Sequence, residues 1–170
     1  MPFKYEGKLN HEFLSLFLFY FQVLITIVLV NLTNLVNSRL INNYDSEIHL
    51  IINGNGEQNI LNDDFQYEPS EVIVNGYPNS LCHKTCNLSE NINNITLKFS
   101  NQINSTEKMF KDLQIILEID LSNFDASQIT SMHEMFKGCS SLTSVILSNS
   151  NTYNLVDVSY MFYKCINLKK

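Results

Sequence analysis

The one local constellation with ligand chemistry is Cys82-His83-Lys84-Thr85-Cys86. Thiolate and imidazole are zinc ligands, but a closed zinc site needs four of them. Neither a second cysteine pair nor a spaced histidine pair follows, so no metal is expected. In an exported chain the same residues read as a structural disulfide between Cys82 and Cys86. Cys139 and Cys165 read as buried small apolar residues stacked in register, with a bond between them as the alternative. The histidines are His11, His49, His83 and His133, and none sits in a His-Glu-x-x-His or other nucleophile-activating pattern. His133-Glu134 reads as a solvated pair. Asn53-Gly-Asn-Gly lacks the third glycine and following helix of a phosphate cradle. Asp120 and Asp125 are spaced like loop carboxylates for calcium, yet the next unit has Ile146 and Asn151 there, so no repeating site results. A site built from His49, His83 or Asp63-Asp64 is the least supported reading. No catalytic residue, cofactor or enzymatic activity is expected.

What must position any functional surface is a period. Met109-Phe110, Met135-Phe136 and Met161-Phe162 recur every 26 residues, the mark of a repeat architecture. Leu113, Cys139 and Cys165 follow four residues after each Met, and Ile116, Leu142 and Leu168 seven after. Ile119 pairs with Val145, Leu121 with Leu147, Ile129 with Leu155 and Met132 with Val158. The spacing Ile116-x-x-Ile119-x-Leu121 ends in period-two alternation, so Glu118–Leu121 and Ser144–Leu147 are predicted strands. Ile129, Met132, Met135 and Phe136, at intervals of three, three and one, predict one face of a short helix or 3₁₀ segment. The expected fold class is therefore an α+β repeat, a short leucine-rich-repeat-like solenoid with one strand and one short helix per unit. No single unit buries enough apolar surface to stand alone, so the units must stack.

Met135-Phe-Lys-Gly-Cys-Ser-Ser-Leu-Thr-Ser, preceded by Ile119-Asp-Leu-Ser-Asn-Phe-Asp-Ala-Ser-Gln-Ile-Thr-Ser-Met, resembles the 26-residue repeat of BspA-like leucine-rich-repeat surface proteins. The resemblance covers residues 92–170. It departs at Ser150, where the first unit has Phe124, and at Asp112-Leu113, which replaces Gly-Cys. It implies adhesion or host-matrix contact as the role.

The organisation along the chain follows. Residues 1–12 form a mixed-charge lead. Residues 13–36 read as a signal anchor or signal peptide, because Phe13 to Val30 carries no charge and as a helix spans roughly 27 Å, close to the hydrocarbon thickness of a bilayer. Lys4 and Lys8 before it outnumber Arg39 after it, which favours the C-terminal part outside; a cleaved signal would leave the chain secreted. Residues 37–91 form a small N-terminal β cap, with strands at Glu47–Ile52 and Val72–Val74 ended by turns. Residues 92–170 are the repeats, with a stub at Ile166–Lys170 that reads as a truncated gene product or an uncapped last unit. The sequons at Asn31, Asn87, Asn94 and Asn104 are about as many as chance supplies.

The net charge is −6 and Arg39 is the sole arginine. Bidentate phosphate and base recognition relies on arginine, so nucleic-acid binding is not expected. The function expected is non-enzymatic: a membrane-anchored, extracytoplasmic repeat protein for protein–protein interaction or cell-surface adhesion. The binding surface is the concave face, with Glu118, Asp120 and Ser122 from one unit and Ser144, Ile146 and Ser148 from the next. The partner is a protein ligand, with the membrane met through Phe13 to Val30. The alternatives are a cytoplasm-facing membrane scaffold and a truncated fragment without independent function.

Overall fold

The computed structural model describes residues 20–31, 46–147 and 151–169. The chain separates into two compact units, Met1–Ile41 and Asn42–Lys170. In the first, residues 20–31 form a helix in which the Thr26 hydroxyl donates to the Gln22 and Val23 carbonyls, at 3.0 and 2.7 Å. Among the described residues no helix is long and apolar enough to cross a membrane. The membrane helix expected over Phe13–Val30 is corrected accordingly, with residues 13–19 outside the described part.

The second unit is built on β-sheet. Its strands are β1 (Ser46–Asn53), β2 (Gly56–Asn59), β3 (Glu71–Val74), β4 (Tyr77–Pro78), β5 (Thr85–Leu88), β6 (Ile92–Phe99), β7 (Ile116–Asp120) and β8 (Ser144–Ile146). Six form one sheet in the order β4-β3-β6-β1-β7-β8, while β2 and β5 pair separately. All pairings are antiparallel except β7 with β8, which is parallel. β1 and β6 alternate strictly: Ile48, Leu50 and Ile52 pack inward with Ile95, Leu97 and Phe99. The segment expected as a separate cap therefore supplies the central strand, since β1 lies between β6 and β7.

Two features of the repeats depart from expectation. Ile116 and Ile119, three apart, both face the core because the register slips at Leu117: Ile51 pairs with Glu118 but Ile52 with Ile116, a β-bulge. The expected helix is absent among the described residues of the repeats, and its apolar spacing belongs to a ladder of turns. Met135, Lys137 and Cys139 donate to the carbonyls three residues back, Met132, Glu134 and Phe136. The intervening N–H groups of Met132, Glu134, Phe136 and Gly138 leave the turn and donate to Asp157, Ser159, Met161 and Tyr163 of the next coil, at 2.8, 3.0, 3.0 and 2.8 Å. The preceding coil repeats this: Thr106, Lys108, Phe110 and Asp112 donate to Ser131, His133, Met135 and Lys137. Backbone φ is positive at Lys108, Glu134 and Tyr160 and again at Asp112, Gly138 and Lys164, which no α-helix tolerates. The fold is thus a β fold with turn-built coils 26 residues apart. The α+β solenoid of one strand and one helix per unit, with an N-terminal membrane helix, does not describe it.

Stacked coils explain the periodic aromatics. Phe110 lies over Phe136 at 5.8 Å and Phe136 over Phe162 at 5.3 Å, all nearly parallel. Cys139 and Cys165 are free thiols whose S–H groups donate to the Phe110 and Phe136 carbonyls, at 3.0 and 2.9 Å. Burial pushes the Cys139 thiol up to about 12. Cys82 and Cys86 are disulfide-bonded, with Cα atoms 4.7 Å apart.

Candidate functional site

Because strands alternate, the face of the six-stranded sheet opposite the core carries rows of side chains that run across it. The first is Glu71–Lys98–Glu47. Lys98 lies 3.1 Å from Glu71 and 3.6 Å from Glu47, and its bond to Glu71 raises its pKa. The second is Ile73–Thr96–His49–Asp120–Ile146, and the third is Asn94–Ile51–Glu118–Ser144. Across the last two rows lies an open groove of about 290 Å³.

Local chemistry fixes the groove's polar groups. His49 Nδ1 and Thr96 Oγ1 are 3.0 Å apart, and His49 Nε2 is 3.6 Å from a Glu47 oxygen. Asp120 accepts from the Ser122 backbone N–H at 2.8 Å. The Ser122 hydroxyl, with this N–H, holds the carboxyl below its usual range, and the nearby His49 adds to the effect. Ile51 is half-buried and Ile146 is 44% exposed, so the groove offers aliphatic surface bordered by carboxylates. Glu47, Glu71, Glu118 and Asp120 against Lys98 leave this face net negative. Among the described residues no group of His, Cys, Asp and Glu could hold a metal.

Of the residues expected to bind, Glu118, Asp120, Ser144 and Ile146 share this groove. Ser122 lies in the turn after β7, serving Asp120, and Ser148 is outside the described residues. The half of the groove that the sequence did not indicate comes from β1 and β6: His49, Ile51, Asn94 and Thr96. Alternation in 46–53 and 92–99 was the available signal. It identifies outward residues but not which strand neighbours which.

Glu134, expected to be solvated, is buried and held between Lys111, at 2.7 Å, and Lys137. These two bonds pull its pKa down to about 2. Lys137 also lies over the rings of Tyr160 and Tyr163, at 5.8 and 6.0 Å. This cluster ties coil to coil.

Fold and site together define a sheet protein with stacked 26-residue coils and an acidic, open face. Residues 80–170 match the family described as "Mycoplasma protein of unknown function, DUF285". That is just over half of the chain, which therefore belongs to this family. The matched segment begins beside β5 and includes β6, β7 and β8, while β1, which joins β6 to β7, precedes it. No curated protein and no solved structure matches the chain.

Proposed function

We propose that this chain is a non-enzymatic surface protein that binds another protein through the open face of its six-stranded sheet. The observation that carries the reading is the groove across β6, β1, β7 and β8, where Ile51 and Ile146 are flanked by Glu118 and Asp120. Apolar patches rimmed by charge are how protein surfaces recognise protein partners, and the acidic rim selects a basic one. The resemblance of the repeat to BspA-like surface proteins supports adhesion as the form this binding takes. The Cys82–Cys86 disulfide supports an oxidising, extracytoplasmic location over a cytoplasm-facing scaffold.

The test is adhesion of beads coated with the full chain to surfaces carrying a basic extracellular-matrix protein. Asp120→Lys and Ile146→Asp should each reduce adhesion about tenfold, equivalent to about 1.4 kcal/mol. Glu57→Lys on β2 should leave it unchanged. Equal adhesion by all four proteins would remove the groove from consideration. Thiol labelling in cells addresses location: two titratable cysteines after denaturation fit export, and four fit the cytoplasm.

A further inference from the structure

The ionisable side chains that line the groove are His49, Glu118 and Asp120. Of these types only an imidazole ordinarily changes charge between pH 5 and 8. His49 stands on β1, which has β6 on one side and β7 on the other, so the surroundings of the ring are complete. It pairs across the sheet with Thr96 on β6 and with Asp120 on β7, at separations where cross-strand charges act on one another. Its side chain is 41% exposed, and Nε2 faces Glu47, further along β1, at 3.6 Å. Glu118 comes from β7, while β8 adds only the uncharged Ser144 and Ile146. In the next row Lys98 of β6 and Glu71 of β3 pair with each other at 3.1 Å.

The ring can take up a proton without leaving its place. Nδ1 lies 3.0 Å from the Thr96 hydroxyl, which donates to a bare ring nitrogen and accepts from a protonated one. Nε2 is beyond a normal hydrogen bond from Glu47, and a charged ring meets that carboxylate with attraction rather than a clash. What changes on protonation is therefore charge, not position. Glu118 and Asp120 give the lining two negative charges, and an imidazolium cancels one of them.

We infer that His49 makes the groove's hold on a basic partner depend on pH, tight when the imidazole is neutral and loosened when it is protonated. This rests on the reading of the groove as a binding surface for a basic protein. The sign follows from the arrangement: a lysine or arginine of the partner seated against Asp120 and Glu118 has a second cation beside it at low pH and none at neutral pH. In an open groove bathed by solvent, one added charge a few ångström away changes affinity by about five- to tenfold.

The experiment measures the affinity of the full chain for a fluorescein-labelled peptide of alternating lysine and valine, by anisotropy at fixed ionic strength, at about pH 7.5 and about pH 5.5. Ordinary carboxylates stay charged at both values. The unaltered chain should bind about five- to tenfold more weakly at the lower pH. His49→Gln, neutral throughout, should bind tightly at both, and His49→Arg, charged throughout, weakly at both. A loss at low pH that His49→Gln shares overturns the inference, because another group then carries it. Weak binding by His49→Gln at neutral pH also overturns it, by making the ring a direct contact rather than a switch. Equal affinity of the unaltered chain at the two pH values, with Asp120→Lys still weakening binding, overturns it and leaves the groove reading standing. Absence of binding at neutral pH, or binding that Asp120→Lys does not weaken, removes the groove reading and the inference with it.

Discussion

Gly138 is the single glycine in the coil ladder, and its replacement tests how the coils are built. Its φ is +78°, and a Cβ there would come within 2.1 Å of Asp112 Oδ1 and 3.3 Å of the Asp112 Cα. Left-handed backbone costs a residue with a side chain about 1–2 kcal/mol. The carboxylate can rotate away, but the backbone neighbour can yield only slightly. Gly138→Ala should therefore cost about 2 kcal/mol, which for a unit of this size lowers the melting midpoint by roughly 6–10 °C. The partner change is informative because Asp112 holds the equivalent place one coil earlier at φ 60°. Asp112→Gly relieves strain there while adding chain entropy to the unfolded state, so alone it should be nearly neutral. Combined, the two changes should cost about 0.5–1 kcal/mol less than their sum, because the crowding term is gone. Urea denaturation of the four proteins measures the cycle. An unchanged midpoint for Gly138→Ala would refute the left-handed turn at this position, and strict additivity would refute the contact with Asp112.

Other consequences follow from the same stacking. Leu121 and Leu147 hold the same place in successive units, but Leu121 is 2% exposed and Leu147 41%. Leu121→Ala should cost about 2–5 kcal/mol and Leu147→Ala under 1, by urea denaturation; equal losses would contradict the difference in packing. The carboxyl of Glu134 is held at about 2 by Lys111 and Lys137, against 4.5 in an open chain. Its contribution to stability is thus complete above pH 4.5 and is lost as pH falls towards 2. Glu134→Gln should lower stability at neutral pH and flatten the acid limb of the stability profile; an unchanged limb would show that other carboxylates govern it.

What could be read from the residues was position within the period, and what could not was the backbone that realises it. Apolar residues three, three and one apart suit a helix face. They suit equally a run of turns closed by bonds three residues back, in which every second N–H leaves for the next coil. A glycine at each left-handed position would have separated the two, but Lys108, Glu134, Tyr160, Asp112 and Lys164 stand there, and only Gly138 carries the signal. The bulge at Leu117 was hidden similarly, since Ile116 and Ile119 at a spacing of three looked like a change of element rather than one extra residue in a strand. Half of the candidate groove was legible, because Glu118 with Ser144 and Asp120 with Ile146 are related by the 26-residue offset itself. The other half depends on β1 entering between β6 and β7, with pairs such as Leu50 and Ile119 formed between residues far apart in sequence. Alternation marks β1 as a strand with one face to bury, and it marks many partners as acceptable. Which partner is chosen depends on the summed burial of three strands, a quantity that no local pattern contains.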